Sequence, residues 1–148
     1  VIVTFEKVTT WPQALELRAL RNECREHMTH DTAEITRDQQ MEFFETRILP
    51  GEVHAVLLRR DGQAAAYGLL WPGPEEAWLS CGVTAGARGK GLGVAVVRYV
   101  TALAGTSPVR LEVWQDNEAA RRVYEKAGYA VTGSGIRDGR TFELMEHP

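Results

Sequence analysis

The chain has 148 residues, 44% apolar and 25% charged, with a formal net charge of −3. That composition fits one soluble globular domain, residues 1–148, and excludes intrinsic disorder, collagen-like repeats and low-complexity arrays. The acidic balance makes nucleic acid and anionic membranes unlikely partners, and no apolar run approaches the ~20 residues of a membrane span.

Val1 to Val8 alternates and is rich in β-branched residues, which predicts a strand. Thr10, Pro12 and Gln13 form a helix-start signal, and Leu17, Leu20, Cys24 and Met28 share one helical face, predicting a helix to about residue 28. Thr36 and Gln39 repeat the start signal ahead of a second stripe, Met41, Phe44 and Ile48, closed by Pro50-Gly51. Val53 to Arg60 and Gln63 to Trp71 read as two strands joined by a tight Asp61-Gly62 hairpin turn, and Glu75 to Val83 as a third. A glycine-rich segment, Ala85 to Gly93, leads into a helix with the stripe Leu92, Ala95, Val96, Tyr99, Val100 and Leu103. Val109 to Trp114 is a short strand. Asn117 caps a last helix that Gly128 ends, and two strands flank Asp138-Gly139. A meander followed by strand–helix–strand units predicts an α/β domain with a mixed sheet and helices on its faces.

The chemistry concentrates between residues 83 and 93. Glycines let the backbone turn sharply and leave amide N–H groups pointing outward, and a helix N-terminus adds partial positive charge. Arg88 and Lys90 stand beside it, so the segment suits a pyrophosphate; the plainer alternative is a glycine-rich turn with solvated basic residues. A Walker loop is excluded because Gly91 follows Lys90. The dinucleotide fingerprint is excluded because Gly89, Gly91 and Gly93 form Gly-x-Gly-x-Gly behind a three-strand meander.

Arg88, Gly91 and Gly93 match the pattern Arg/Gln-x-x-Gly-x-Gly/Ala at a strand-to-helix junction. Asn117-Glu-Ala-Ala120 and Tyr124-Glu-Lys-Ala-Gly128-Tyr129 follow about 25 residues later. Together they resemble the GCN5-related N-acetyltransferase (GNAT) superfamily, whose element order the chain follows from Val1 to about Glu146. The resemblance implies a mixed, mostly antiparallel sheet with about four helices, splayed between the fourth and fifth strands. It implies acetyl-CoA as co-substrate, with the pyrophosphate on the amides of Arg88, Gly89, Lys90, Gly91, Leu92 and Gly93, and pantetheine along Cys81, Gly82 and Val83. Asn117 would contact the pantetheine arm, besides capping its helix. Tyr124 would protonate the departing thiolate, a step suited to a phenol of pKa near 10; its structural alternative is a buried aromatic beside Ala120 and Val123.

Many relatives carry a carboxylate base on the strand before the glycine loop. Here Ala77 to Val83 has none, and only Glu75 and Glu76 stand at its start. Leu111-Glu112-Val113 resembles a stretch of acetyltransferases acting on ribosomal protein N-termini, which makes Glu112 the candidate base; otherwise it is a charge on a partly exposed strand face. Cys81 lacks a partnered histidine, and the family transfers directly, so a covalent role is not expected. His27, His30 and Asp31 cluster near a helix end, yet no distant ligand pattern joins them, and no metal is expected. Two cysteines without a Cys-x-x-Cys spacing do not make a disulfide framework, and a cytoplasmic monomer or homodimer is expected.

For the acceptor, Arg21-Asn22, Arg25, Met28, Ile35, Gln39 and Phe43-Phe44 are similar to a pattern in acetyltransferases acting on nucleotide-linked amino sugars, with Phe43 where those carry tryptophan. Asn22 and Arg25 would then touch acceptor hydroxyls or phosphate. The resemblance thus favours a small primary amine, such as an amino sugar, with peptide N-termini as the alternative. A non-catalytic acetyl-CoA sensor is the reading from a different class.

Overall fold

Seven strands and four helices follow from these local signals. The computed structural model describes residues 1–148. Strand β1 (Val3–Lys7) leads to helix α1 (Trp11–Glu23), then α2 (Arg37–Phe43) and the meander β2 (His54–Arg60), β3 (Gln63–Pro72) and β4 (Ala77–Val83). Helix α3 (Leu92–Ala102), strand β5 (Val109–Trp114), helix α4 (Glu118–Lys126) and the hairpin β6 (Ala130–Arg137) and β7 (Arg140–His147) complete the chain. Both expected capping boxes form, Thr10 with Gln13 and Thr36 with Gln39. Asp61-Gly62 and Asp138-Gly139 take positive φ at both residues, as two-residue hairpin turns require.

The strands make one sheet in the order β1-β2-β3-β4-β5-β7-β6, antiparallel except for β4 beside β5. That parallel pair joins only Ala77 to Val109 and Trp78 to Arg110 before the strands part. Period-two alternation sends side chains to two cores. Val56, Leu58, Ala66 and Leu70 pack with α3, α4 and β5, while Ala55, Leu57, Tyr67 and Leu69 pack with α1 and the turn after α2.

Three expectations change. Helix α1 stops at Glu23; a short 3-10 turn, Arg25–His27, follows, and Met28 is extended. The reason is tertiary: the Trp114 indole N–H donates to the Met28 carbonyl (3.0 Å), and Arg137 donates to the Thr29 carbonyl (2.8 Å). The second stripe ends in a π-helical turn, Phe44–Ile48, and its most buried residue is polar Gln40, whose amide donates to the Ala14 carbonyl (2.8 Å). In α3 the buried face includes Val97, while half-buried Tyr99 stacks on Phe5 with ring centroids 4.2 Å apart.

Arg59 ties β1, β2 and α1 together through paired hydrogen bonds to Glu6 (2.9 and 3.1 Å) and Glu16 (both 2.8 Å). These bonds hold both carboxyls below the ordinary glutamate value. The unfolded value is about 4.3, so this stabilisation is complete above that pH and is lost as pH falls through the lowered folded values. Arg59→Leu should therefore lower the melting temperature at neutral pH, by an amount that shrinks on acidification below pH ~4; a gap independent of pH in thermal scans would contradict this account.

Candidate active site

The parting of β4 from β5 opens two cavities of about 400 Å³ each, and both are bordered by Cys24, His27, Cys81, Glu112 and Tyr124. One cavity runs along the glycine loop. Arg88, Gly89, Gly91, Leu92 and Gly93 line it, with Gly82, Val83, Asn117 and Val123. Gly91 sits at φ 78° as the residue before the first turn of α3, a left-handed conformation that a Cβ would strain. At Gly93 a Cβ would lie 3.2 Å from Val123, so the missing side chain lets α4 close against α3. The exposed Arg88 side chain donates through Nε to the Val83 carbonyl at 3.2 Å. Lys90 is exposed and does not border the cavity. The Asn117 side chain accepts from the Ala120 amide at 3.2 Å, capping α4 at the cavity wall. Successive amides, a helix N-terminus and Arg88 form a cradle that fits a pyrophosphate, and the unpaired end of β4 beside it fits an amide-bearing arm.

Tyr124 projects from α4 to the junction of the cavities. Its hydroxyl lies 3.3 Å from the Cys81 sulfur, and its ring packs edge-on to Tyr129. Burial raises the Tyr124 phenol well above its ordinary value, and the neighbouring Cys81, Tyr67 and Tyr129 add to the shift. Burial likewise pushes the Cys81 thiol up to about 11. Both groups are therefore protonated near neutral pH. Such a thiol is a weak nucleophile, whereas such a phenol keeps a proton to give.

Glu112 enters from the other side. Leu111 and Val113 turn into the core with α3 and α4, so alternation directs Glu112 to the opposite face, where its side chain is only 10% exposed. Arg137 binds it at 2.7 and 3.4 Å, and His30 Nε2 lies 3.0 Å away. Burial pushes the Glu112 carboxyl up, but hydrogen bonds from Arg137 and Thr29, with the nearby His30 and Arg137 charges, outweigh it and hold the carboxyl below its ordinary value. The second cavity continues from this point, bordered by Arg21, Met28, Thr29, His30, Asp31, Tyr67, Trp71, Trp78 and Ser80.

Residues 24–36 form one wall of that cavity and are tied down from several directions. The Asn22 side chain exchanges two hydrogen bonds with the Ile35 backbone (2.7 and 3.1 Å), and Arg18 donates to the Ile35 carbonyl at 2.7 Å. Asn22 thus anchors the wall from behind, and neither Asn22 nor the exposed Arg25 borders either cavity. No three His, Cys, Asp or Glu side chains gather closely enough to hold a metal ion. His30 and Arg137 are site residues that sequence reasoning missed, and Arg21, quoted within the acceptor pattern, carries no role there. His30 had been weighed only as a metal ligand, and nothing in the sequence links Arg137 to Glu112 across the intervening strand β7.

Comparison with known proteins agrees with this geometry. The acetyltransferase (GNAT) family model matches residues 14–129, and the chain belongs to that family. As a member of that family it is an acetyltransferase. Among solved structures it is similar to yncA from Salmonella typhimurium with its cofactor acetyl-CoA (17% identity, 99% and 93% of the two chains covered, TM-score 0.81). It is also similar to spermidine N-acetyltransferase from Vibrio cholerae in complex with CoA and spermine (14%, 97% and 94%, 0.82). A third is the ribosomal-protein-alanine N-acetyltransferase from Brucella melitensis (18%, 99% and 98%, 0.81). At these identities the likeness is one of fold. A search of curated protein sequences finds no significant match. No helix is long and apolar enough to cross a membrane.

The Trp114 bond to Met28 can be removed without removing the aromatic body. Trp114→Phe should leave the domain folded and cost about 1 kcal/mol locally, a roughly fivefold rise in opening of residues 25–36. Hydrogen exchange of those amides should quicken, with a higher KM for the acceptor and an unchanged KM for acetyl-CoA; unaltered exchange would show that the other ties suffice.

Proposed function

We propose that the protein transfers the acetyl group of acetyl-CoA directly to the primary amine of a small molecule, with amino sugars and nucleotide-linked amino sugars favoured. The observation that carries this reading is the meeting of two cavities at Tyr124 and Glu112. The second cavity, about 400 Å³, has the capacity of a small-ligand site. Peptide N-termini are the second reading, supported by Leu111-Glu112-Val113, which puts Glu112 on the acceptor cavity wall.

Acetyl-CoA supplies an activated acetyl group and a thiolate leaving group. The amides of Arg88 to Gly93 and the Arg88 guanidinium hold the pyrophosphate, and the unpaired backbone of Cys81 to Val83 orients the pantetheine arm, with Asn117 on the opposite wall. Tyr124 gives its phenolic proton to the sulfur as the carbon–sulfur bond breaks. On the other side, Glu112 takes the proton that the amine must lose and releases it to solvent beside His30, whose side chain is 71% exposed. Arg137 holds the Glu112 carboxylate in place at the cost of some basicity. The exposed Arg88 and the ion-paired base divide the work: one binds, the other moves protons.

Tyr124→Phe tests the acid. The maximal rate of acetyl-CoA-dependent thiol release should fall by ~10²–10⁴, the span of a positioned acid, while calorimetric acetyl-CoA binding is kept. Because burial raises the phenol, the wild-type rate should show no falling limb from Tyr124 below pH ~10, the ordinary phenol value. A variant within a few-fold of wild type would assign the proton to water.

Glu112→Gln tests the base. The rate should fall most at low pH and recover toward wild type as pH rises, since more of the amine is then already neutral. A loss equal at every pH would mean that Glu112 only positions its neighbours.

A further inference from the structure

Arg21 stands on the last turn of α1 and borders the acceptor cavity with Tyr67, Trp71, Trp78 and Ser80. Three arginines have a buried Nε with no hydrogen-bond partner: Arg21, Arg110 and Arg121. Two of them still face carboxylates, Arg110 with Glu76 at 3.0 Å and Arg121 with Glu143 at 3.8 Å. Arg21 faces none. Its contacts are a long hydrogen bond from NH1 to the Gln40 side-chain oxygen (3.4 Å) and the face of the Phe43 ring, 5.1 Å from its centroid. Both partners are uncharged. Burial lowers its affinity for the proton, opposed only by the neighbouring Tyr67 phenol and by no carboxylate.

A half-buried guanidinium whose Nε is out of water without a counter-charge is costly, and an anionic ligand would offset that cost. The cavity's own carboxylates are committed elsewhere. Glu112 is held by Arg137 and His30, and Asp31 accepts from the Ala33 amide at 2.8 Å. His27, the other histidine of the wall, pairs with Glu26. Arg21 is thus the cationic side chain of this cavity that lacks a carboxylate partner.

We propose that Arg21 recognises an anionic group on the acceptor, so that the substrate is an amine also carrying a carboxylate or a phosphoryl group. The planar fork suits either group, binding it through two parallel N–H bonds. With the anion at Arg21, the amine lies further along the same cavity toward Glu112 and Tyr124. Tyr67, Trp71 and Trp78 border the same cavity and offer aromatic surface to the substrate's apolar or ring portion. A polycation lacking an anion would meet an unneutralised guanidinium there. This inference rests on the transferase reading and narrows it.

The test uses the full chain saturated with acetyl-CoA, so that the pyrophosphate cradle is occupied. Thiol release is measured with matched amines: glucosamine against glucosamine 6-phosphate, ethanolamine against phosphoethanolamine, and tyramine against tyrosine. Wild type should prefer the anionic member of at least one pair by ~10- to 100-fold in kcat/KM, the span of charge-assisted hydrogen bonds. The phosphate and tyrosine pairs tell which anion is read. Arg21→Gln should erase that preference, lowering kcat/KM for the anionic member far more than for its neutral match; Arg21→Lys should restore part of it. A preference for the neutral members, or one that survives Arg21→Gln, overturns the proposal. A second readout does not depend on turnover. Inorganic phosphate or acetate, at ionic strength matched with sodium chloride, should raise the melting temperature of the acetyl-CoA complex in wild type and not in Arg21→Gln. That shift without thiol release from any amine would sink the transferase reading and keep the anion site, whereas release without shift or preference would do the reverse.

Discussion

Strands β4 and β5 run parallel but share only two residue pairs, and the site depends on that parting. A fully paired sheet would separate the layer of α3 and α4 from the layer of α1 and residues 24–36. Because the strands diverge beyond Trp78 and Arg110, a tyrosine from one layer and a glutamate facing the other border the same opening. The divergence also leaves the end of β4 without a partner on one side, so main-chain groups are free to bind an extended ligand. The antiparallel partner β3, in register from Pro72–Ala77 to Ala66–Val83, holds the other side and keeps β4 straight.

Charge is distributed around the opening according to burial. At the junction itself, Tyr124 and Cys81 sit where ionisation is expensive and remain protonated. At the solvent end of the cofactor cavity, Arg88 is exposed and its charge attracts without a large desolvation cost. Glu112 lies between these extremes, ionised because Arg137 and Thr29 bind the charged form. Low dielectric at the junction strengthens each hydrogen bond to the reacting groups, and the surrounding charges do not collapse onto it.

The acceptor wall is the part of the structure with the least core of its own. Residues 25–36 contain one buried residue, Thr29, and are held chiefly by hydrogen bonds from Asn22, Arg18, Trp114 and Arg137. Such a segment opens at lower free energy than the sheet behind it. The wall also contributes His27 and His30, so the shape of the cavity on this side depends on polar ties rather than on apolar packing.

Sequence alone determined what local rules govern. Alternation, capping boxes and Asp-Gly turns set the element types because each acts within a few residues. The glycine loop, Tyr124 and the outward facing of Glu112 were legible for the same reason, as spacing on a single strand or helix. Tertiary structure decided the rest. Helix α1 ends at Glu23 because Trp114 and Arg137, far along the chain, take the Met28 and Thr29 carbonyls. Arg137 reaches Glu112 only because β7 inserts between β5 and β6. Arg21 resembled any other helical arginine until packing buried its Nε and gave it no carboxylate. A side chain's partner is a property of the folded neighbourhood, and no periodicity in the chain encodes distances between residues that the sheet order brings together.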